Sequence, residues 1–473
     1  MTRPPAEEPA RTSRFLERQR RGAAAVLRAA ALVLIVTAAS TPAAGQWWTG
    51  REAPTEPDYP ELTVTVEWLG RNAGARDVVV VDARDAASYA GGHISGALSL
   101  PPESFPDIGS LQGLARLPGA LGELGLTGRE RLVCCGESSY SPEASTLFWL
   151  MECAGADRVF LLEGGVSGWV ASGRDLVREA AARPAAVWSR RPCAELIATR
   201  EYVRRVYGEP GHEIVDARGA DAWRGPVGES EGETETRAGH VPHSLPFDFT
   251  SFFAPDGTLL PQADTWRAFS RLGPRPANPV DLNDEFIVHG WGSIAAPEGA
   301  KRRDEECNVE WSDGAVGYFL LRRAGLARVR YYSGGWRDWA GDPYLPVVRL
   351  VGAEELMERL SRARRWFRPG DPPASFAFFD VRHPADHARG HIRGSVSLRS
   401  DYFADSVDVR LERYWPKIDR ETVPVVTYCY GESCIRSRAT STAAAREGFV
   451  RIERFLGGLD EWRHAGGELV RGE

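Results

Sequence analysis

The feature that most constrains this chain is a pattern that occurs three times along its length. Each copy opens with an apolar run that ends in Asp-x-Arg, and Gly-His-Ile or Gly-His-Val follows further on. Self-similarity on this scale indicates that one supersecondary unit is repeated, so we predict a tandem array of related domains. The three openings are VVVVDARDAASYAGGHISGALSL (Val78–Leu100), EIVDARGADAWRG with RAGHVPHSLPF (Glu213–Phe247) and FFDVRHPADHARGHIRGSVSL (Phe378–Leu398).

Each copy also closes in the same way, with a strand-like run, two adjacent glycines and a tryptophan. The closings are RVFLLEGGVSGW, RVRYYSGGWRDW and RIERFLGGLDEW, which end at Trp169, Trp339 and Trp462. Between opening and closing lie a further strand, a loop and a helical segment that ends at or near a glycine. Short apolar strands that alternate with helices predict an α/β fold, in which each domain is a parallel β-sheet flanked by helices.

The repeats divide the 473-residue chain into three predicted domains, which is in keeping with its length. We place domain 1 at 61–178, domain 2 at 193–348 and domain 3 at 350–473. A linker is predicted at 46–60.

Residues 1–45 have the pattern of an export signal. A basic region precedes the apolar stretch AAALVLIVTAAS (Ala29–Ser40), which is short for a transmembrane helix, and small residues continue to Gly45. We therefore expect an exported, periplasmic protein whose leader is a signal peptide, or a membrane anchor if it is not cleaved.

Composition argues against several classes of function. The chain has 58 Lys and Arg residues against 65 Asp and Glu residues, so no basic field for nucleic acid is expected. The seven cysteines are an odd number, and a chain of this length buries a core without a disulfide framework, so some cysteines are candidates for chemistry. The sequence lacks a phosphate loop, a dinucleotide fingerprint and clustered metal ligands, so we expect no cofactor and no metal.

The repeated pattern resembles the rhodanese-like, or sulfurtransferase, family. Asp-x-Arg, Gly-His-Ile-x-Gly, a cysteine at a strand end and Gly-Gly-x-x-x-Trp follow one another in the family's order. The resemblance implies three tandem rhodanese-like domains, of which the first two together resemble a thiosulfate or mercaptopyruvate sulfurtransferase. It also implies a reactive cysteine after the fourth strand, where backbone N–H groups and the dipole of the next helix stabilise a thiolate.

The Asp-x-Arg pairs and the histidines of the Gly-His motifs are interpreted as structural. A buried carboxylate at a strand end, paired with arginine, satisfies loop amides and fixes the fold. The histidines are expected to organise loops through hydrogen bonds. The residues concerned are Asp82, Asp216, Asp380, Arg84, Arg218, Arg382, His93, His240 and His391.

Domain 3 has the most complete loop for sulfur chemistry. Cys429 follows an apolar strand, and Arg436 and Arg438 are expected to neutralise its thiolate and bind an oxyanion. Cys434 stands five residues after Cys429, where the family usually has arginine, and is interpreted as a thiol that resolves a persulfide or protects Cys429 as a disulfide. The whole predicted loop comprises Tyr430, Gly431, Glu432, Ser433, Cys434, Ile435, Arg436, Ser437 and Arg438.

Domain 2 is predicted to have lost its catalytic cysteine. His289 and Gly290 stand where the cysteine is expected, and Cys307 lies outside the loop position.

Domain 1 is also predicted to be inactive, although it has two adjacent cysteines. Matching Gly-Glu-Ser of domain 1 to Gly-Glu-Ser of domain 3 aligns Cys134 with Cys429, so Cys134 and Cys135 are candidate secondary thiols. Ser141 and Glu143 replace the two arginines, and an acidic loop disfavours a thiolate.

The sequence and the resemblance together predict an exported sulfurtransferase. Sulfane sulfur would pass from a small anionic donor such as thiosulfate to a thiol or cyanide-like acceptor, through a persulfide on Cys429. Two alternatives stay open: a thiol–disulfide redox protein that uses Cys429 and Cys434, and a non-catalytic binding protein with the same fold. A phosphatase or arsenate reductase is a weaker third, because an enlarged loop accepts a larger oxyanion.

Overall fold

The computed structural model describes residues 61–105, 109–139, 141–225, 237–254, 258–270, 281, 283–292, 313–362, 376–398, 419–432 and 434–471. The described residues all belong to one compact unit, Glu56–Glu473. The predicted leader and linker, Cys307 and Ser433 lie outside the described residues.

Domain 1 is built on five parallel strands, of which the central ones are buried on both faces. The strands are β1 (Thr63–Val64), β2 (Val78–Asp82), β3 (Leu98–Ser99), β4 (Arg131–Cys135) and β5 (Arg158–Leu162), in the order β1-β5-β4-β2-β3. The helices are α1 (Val66–Asn72), α2 (Ala86–Gly91), α3 (Leu111–Glu123), α4 (Pro142–Cys153) and α5 (Gly165–Ala171), with a 3₁₀ helix at Pro102–Ser104. Alternate valines of β2 pack into two different clusters, one on each side of the sheet, which explains its unbroken apolar run.

Domain 2 repeats this arrangement with four strands. They are β6 (His212–Asp216), β7 (Ser244–Pro246), β8 (Glu285–His289) and β9 (Val329–Tyr332), in the order β7-β6-β8-β9. A parallel bridge between Ile197 and Tyr331 occupies the place of the missing edge strand. The helices are α6 (Arg200–Val206), α7 (Ala220–Arg224), α8 (Gln262–Ser270), α9 (Asp313–Arg323) and α10 (Gly335–Gly341), with 3₁₀ helices at Ala194–Leu196 and Phe249–Phe252.

Domain 3 again has a five-stranded parallel sheet, in addition to a small antiparallel pair. The strands are β10 (Val347–Leu350), β11 (Ala377–Asp380), β12 (His391–Ile392), β13 (Val396–Ser397), β14 (Val425–Tyr428), β15 (Arg451–Phe455) and β16 (Leu469–Val470). The large sheet has the order β10-β15-β14-β11-β13, and β12 pairs with β16. The helices are α11 (Ala353–Arg362), α12 (Pro384–Arg389), α13 (Ile435–Arg446) and α14 (Gly458–His464). The predicted α/β fold with three tandem domains is thus confirmed.

Strand β10 belongs to two domains at once. Val348 exchanges two backbone hydrogen bonds, of 2.9 and 3.0 Å, with His240 of domain 2. The same strand pairs in parallel with β15 of domain 3 along its whole length. The predicted boundary at 348 to 350 therefore falls inside a strand that both domains share.

The Asp-x-Arg pairs are buried and structural, as predicted. In domain 3, the guanidinium of Arg382 donates to both carboxylate oxygens of Asp380, at 2.9 and 2.5 Å, and to the carbonyl of Gly390 at 2.7 Å. Burial would raise the pKa of Asp380, but hydrogen bonds from His387 and Arg382 outweigh it and hold the pKa below its ordinary value. The pairs of domains 1 and 2 repeat this geometry, including the bond to the glycine carbonyl.

The motif histidines organise loops, also as predicted. Each ring nitrogen Nδ1 bonds a main-chain carbonyl, and each ring stacks on the aromatic side chain whose carbonyl it contacts. The stacked pairs are Tyr89 with His93, Trp223 with His240 and His387 with His391, with ring centroids 3.8, 4.0 and 3.7 Å apart.

The paired glycines of each closing allow a helix N-terminus to approach the loop after the central strand. Gly458 has φ +54°, and a Cβ there would lie 2.5 Å from the carbonyl oxygen of Cys429. Gly165 and Gly335 stand in the same relation to the carbonyls of Gly136 and Gly290, at 2.7 and 2.6 Å. Only glycine combines this backbone conformation with so close an approach.

We expect Asp216→Ala to lower the free energy of unfolding by about 3 to 5 kcal/mol, because it leaves the guanidinium of Arg218 buried without its counter-charge. Side chains of this pair are 0 % and 1 % exposed. The matched control is Asp221→Ala, whose pair with Arg224 has side chains 98 % and 59 % exposed, and whose loss costs less than about 1 kcal/mol. Urea denaturation compares the two, and equal losses would contradict the structural role.

Gly458→Ala is expected to lower the free energy of unfolding by about 2 to 5 kcal/mol. The left-handed backbone disfavours alanine, and its Cβ would collide with the carbonyl oxygen of Cys429. Gly466→Ala is the control, since Gly466 has φ +82° but no atom near its would-be Cβ, so that only the backbone cost of about 1 to 2 kcal/mol applies. Urea denaturation followed by circular dichroism measures both. A Gly458 variant no less stable than the control would show that the close approach is unimportant.

Candidate functional site

Cys429 lies between the end of a central strand and the start of a helix, where the resemblance places the reactive residue. It follows β14 directly, and α13 begins at Ile435, with Cys434 as its N-cap residue. The side chain of Cys434 makes no capping hydrogen bond to α13. The first N–H groups of a helix have no acceptor within the helix, so this end of α13 attracts anions.

The loop from Cys429 to Cys434 is held from one side by the start of α14. Leu459 and Asp460 donate backbone hydrogen bonds to the carbonyls of Cys429 and Tyr430, at 3.2 and 3.1 Å. Within the loop, the N–H of Cys434 donates to the carbonyl of Gly431 at 3.0 Å. The backbone around the cysteine is therefore fixed by both flanking elements.

Cys429 and Cys434 form a disulfide, with their Cα atoms 6.1 Å apart. This agrees with the expectation that Cys434 is close enough to protect Cys429. Cys429 is 1 % exposed, whereas Cys434 is half-buried. The sulfur of Cys429 can therefore act as a nucleophile only after a reductant has opened the disulfide.

The two predicted arginines have different surroundings. Arg438 donates to the carbonyl oxygen of His243 at 2.6 Å and to Glu213 Oε2 at 3.2 Å, both in domain 2. Arg436 is half-buried in the first turn of α13, and its charge acts on Tyr430 of the loop. Arg438 is thus part of the contact between domains 2 and 3, and Arg436 is the arginine associated with the loop.

The other loop residues differ in their exposure to solvent. Tyr430 is 41 % exposed, and its hydroxyl donates to Asp386 Oδ2 at 2.5 Å. Glu432 is exposed. Ser437 is buried in the first turn of α13, where its hydroxyl donates to the carbonyl of Cys434 at 3.3 Å.

Strand register shows which residues of domains 1 and 2 correspond to Cys429. In each sheet the motif aspartate pairs with the last residue of the neighbouring central strand, and the loop begins at the next residue. The register pairs are Asp82 with Cys135, Asp216 with His289 and Asp380 with Tyr428. Cys429 therefore corresponds to Gly136 in domain 1 and to Gly290 in domain 2.

The alignment of Cys134 with Cys429 is thus wrong by two residues. Cys134 and Cys135 are the last residues of β4, and both are fully buried. Burial raises the pKa of both thiols well above the ordinary range, which makes them poor nucleophiles. The pairing of the motif aspartate with the neighbouring strand identifies the first residue of the loop, whereas the local Gly-Glu-Ser match does not.

Neither Gly136 nor Gly290 leaves room for a side chain. A Cβ at Gly136 would collide with Ser141, and one at Gly290 would lie 2.6 Å from the backbone nitrogen of Gly314. The loops of domains 1 and 2 have therefore closed over the position that Cys429 occupies in domain 3.

The described part of the chain lacks two further features. It contains no group of three or more His, Cys, Asp or Glu side chains arranged to hold a metal ion. None of its helices has the length and apolar character needed to cross a membrane.

A comparison with known protein families identifies the same three repeats. The Rhodanese-like domain family model matches residues 65–172, 199–342 and 364–465. Thiosulfate sulfurtransferase of Pseudomonas aeruginosa is 29 % identical over 294 residues, which are 60 % of this chain and 96 % of that protein. The probable 3-mercaptopyruvate sulfurtransferase of the same organism is 30 % identical over 43 % of this chain and 63 % of its own length.

Among solved structures, that of the 3-mercaptopyruvate sulfotransferase SseA from Escherichia coli matches 59 % of this chain and 99 % of its own, with 21 % identity and a TM-score of 0.45. The family assignment rests on the three matched segments, which lie in the three domains described above. The chain belongs to the rhodanese-like family and contains three copies of its domain.

Proposed function

We propose that this sulfurtransferase carries its transferred sulfur on Cys429, as a persulfide. The donor is a small sulfur-containing anion such as thiosulfate, and the acceptor is a thiol or a cyanide-like nucleophile. One observation carries the proposal: of the three equivalent loop positions, only that of domain 3 holds a cysteine, and it lies at the N-terminus of α13.

The surroundings of Cys429 favour an anionic sulfur. The first turn of α13, to which the N-cap residue Cys434 makes no side-chain hydrogen bond, lies at the positive end of a helix dipole. Arg436 adds a positive charge on the same turn. These groups stabilise the thiolate, the persulfide and an incoming oxyanion in the same way.

The proposed reaction has two displacement steps. The thiolate of Cys429 attacks the outer sulfur of thiosulfate, the sulfur–sulfur bond of the donor breaks, and sulfite leaves with the electron pair. The acceptor then attacks the outer sulfur of the persulfide, and the Cys429 thiolate leaves. Each step exchanges one sulfur bond for another, so no net oxidant is required.

Cys434 provides an alternative end to the cycle. Its thiol can attack the inner sulfur of the Cys429 persulfide, which releases hydrosulfide and forms the Cys429–Cys434 disulfide. A thiol reductant then opens the disulfide by thiol–disulfide exchange, is itself oxidised to a disulfide, and restores both thiols before the next turnover.

Export to the periplasm, with a cleaved signal peptide or with attachment to the membrane, is part of the same proposal. Its support is the basic and then apolar pattern of residues 1–45. An oxidising compartment maintains a disulfide such as that of Cys429 and Cys434 until a specific reductant opens it.

Reduced protein that carries Cys434→Ser, in which the persulfide cannot be converted to the disulfide, is expected to gain one sulfur atom on the peptide that contains Cys429 when it is treated with thiosulfate. Cys429→Ser should abolish this gain and the formation of thiocyanate from thiosulfate and cyanide, because the nucleophile is missing. Cys134→Ser and Cys135→Ser are the controls and should retain most activity, since both thiols are buried in β4. Peptide mass spectrometry and a thiocyanate assay provide the measurements, and full activity of Cys429→Ser would reject the proposal.

A thiol–disulfide redox function is the second candidate, and the disulfide between Cys429 and Cys434 favours it. Cys434→Ser separates the two. A sulfurtransferase keeps its transfer of sulfur to cyanide in this variant, whereas a dithiol redox protein loses all turnover.

Arg436→Gln is expected to raise the KM for thiosulfate about tenfold, which corresponds to about 1.4 kcal/mol of lost charge-assisted binding. Arg438→Gln should instead lower the free energy of unfolding by about 1 to 3 kcal/mol, because it removes bonds to Glu213 and to the carbonyl of His243. Steady-state kinetics and urea denaturation of both variants test this division. Equal changes in KM would show that both arginines bind the donor.

A further inference from the structure

Arg454 is a buried cation with no counter-charge among the described residues. It is 5 % exposed, and no carboxylate in the described part of the chain pairs with it. Its Nη2 donates to Ser437 Oγ at 3.4 Å, and its Nε has no hydrogen-bond partner. By contrast, the buried guanidinium of Arg382 in the same domain is paired with Asp380.

Arg454 lies on the same face of the sheet as Cys429. Its Cα is paired with that of Thr427, two residues before Cys429. Side chains alternate along a strand, so Thr427 and Cys429 project to one side, and Ile452 and Arg454 project to that side from β15. The packing of the core agrees with this assignment. Ile452 and Cys429 belong to one cluster of buried residues, whereas the buried residues that alternate with them along the two strands belong to another cluster.

The guanidinium also reaches the second cysteine through Ser437. The hydroxyl of Ser437 accepts from Arg454 and lies 3.3 Å from the carbonyl oxygen of Cys434, to which it donates. A long side chain on a neighbouring strand can reach diagonal positions about 7 to 8 Å away. Arg454 is therefore placed beneath the loop that joins Cys429 to Cys434.

The other two domains show that this arginine is not required by the fold. Register equates Arg454 with Leu161 in domain 1 and with Tyr331 in domain 2, both of which are buried. These are the domains in which glycine replaces the loop cysteine. The buried charge and the cysteine thus occur in the same domain, and both are missing from the equivalent positions of the other two.

The charge of Arg454 is costly in the disulfide state. Burial, reinforced by the like charge of Arg438, lowers the pKa of Arg454 to about 9. The group still carries its charge at neutral pH, but a neutral disulfide offers it no compensation. A thiolate or a persulfide at Cys429 would offer it, because each carries a negative charge.

We propose that Arg454 is the buried counter-charge of Cys429, and that it stabilises the thiolate and persulfide anions of the opened loop. The inference rests on the proposed role of Cys429 as sulfur carrier. Arg454 contacts neither donor nor acceptor, so it is a positioning residue that acts through the ionised sulfur. Because it favours the thiolate, it also makes the Cys429–Cys434 disulfide easier to reduce.

Other charged groups surround the same loop and contribute to the ionisation of Cys429. These groups belong to domain 2, to the elements of domain 3 that pack around the loop, and to the loop itself. They are Glu213, His240 and His243 from domain 2, Arg436 and Arg438 from α13, Asp460 from α14, Asp380, Arg382 and Asp386 from β11 to α12, and Glu432 in the loop. The test therefore compares variants at a single position against an otherwise unchanged set.

The experiment measures the pKa of the Cys429 thiol in reduced protein that carries Cys434→Ser. Thiolate absorbance is followed against pH, and the titration of protein with both Cys429→Ser and Cys434→Ser is subtracted. Adding Arg454→Leu, which introduces the residue found in domain 1, is expected to raise the pKa of Cys429 by at least about one unit. At a pH below the pKa, this shift corresponds to a thiolate fraction about tenfold smaller. Arg454→Lys keeps the charge and should recover most of the shift.

Arg451→Leu is the matched control, because Arg451 lies on the same strand but is exposed, and it should leave the pKa unchanged. If Arg454→Leu does not fold, Arg454→Gln takes its place with the same expected direction. A folded, uncharged variant at Arg454 whose Cys429 pKa equals that of the parent protein overturns the proposal.

This titration requires no sulfur donor, so it is independent of the test of function. A pKa that depends on Arg454 in a protein that never accepts sulfur would refute the proposed function alone. Sulfur transfer with no effect of Arg454 on the pKa would refute the counter-charge alone.

Discussion

The buried aspartate–arginine pair at the ends of β2, β6 and β11 is the interaction on which the rest of this structure depends. It joins a strand end to the carbonyl of a glycine in the next loop and sets where the neighbouring strand gives way to its own loop. Asp380 lies opposite Tyr428, so the residue after Tyr428 must be the first of the loop. The same constraint in all three domains makes their loops comparable residue by residue. The location of Cys429 is thus a consequence of strand pairing.

Within this common frame, the three loops differ in ways that bear directly on sulfur chemistry. Domains 1 and 2 have glycine at the first loop position, where neighbouring atoms leave no space for a side chain. Domain 3 has a cysteine there, a second cysteine that covers it, and a buried arginine below. Loss of the nucleophile and loss of the charge occur together in domains 1 and 2, which retain their sheets and their buried pairs. The fold therefore forms without the cysteine and the buried arginine, and the proposed chemistry on Cys429 uses additions that the fold does not require.

Much of the architecture could be predicted from the sequence, because repeats, apolar strands and the Asp-x-Arg and Gly-His motifs are all local patterns. The errors arose where the deciding contact is distant. Cys134 was aligned by a match of neighbouring residues, whereas pairing between separate strands determines its place. The contact of Arg438 with Glu213 cannot be read from the sequence, because Glu213 belongs to another domain. Arg454 sits in the polar string RIERF, and only the packing of α13 over that strand makes its burial evident.

The strand shared by domains 2 and 3 limits how this protein can be divided. A fragment cut ahead of Val347 would deprive His240 of its backbone partner, and one cut behind Leu350 would remove the outer strand next to β15. Neither half keeps all its hydrogen bonds, so the two repeats form a single cooperative block. Recombination that exchanges single repeats would therefore break backbone hydrogen bonds at the shared strand and destabilise the product.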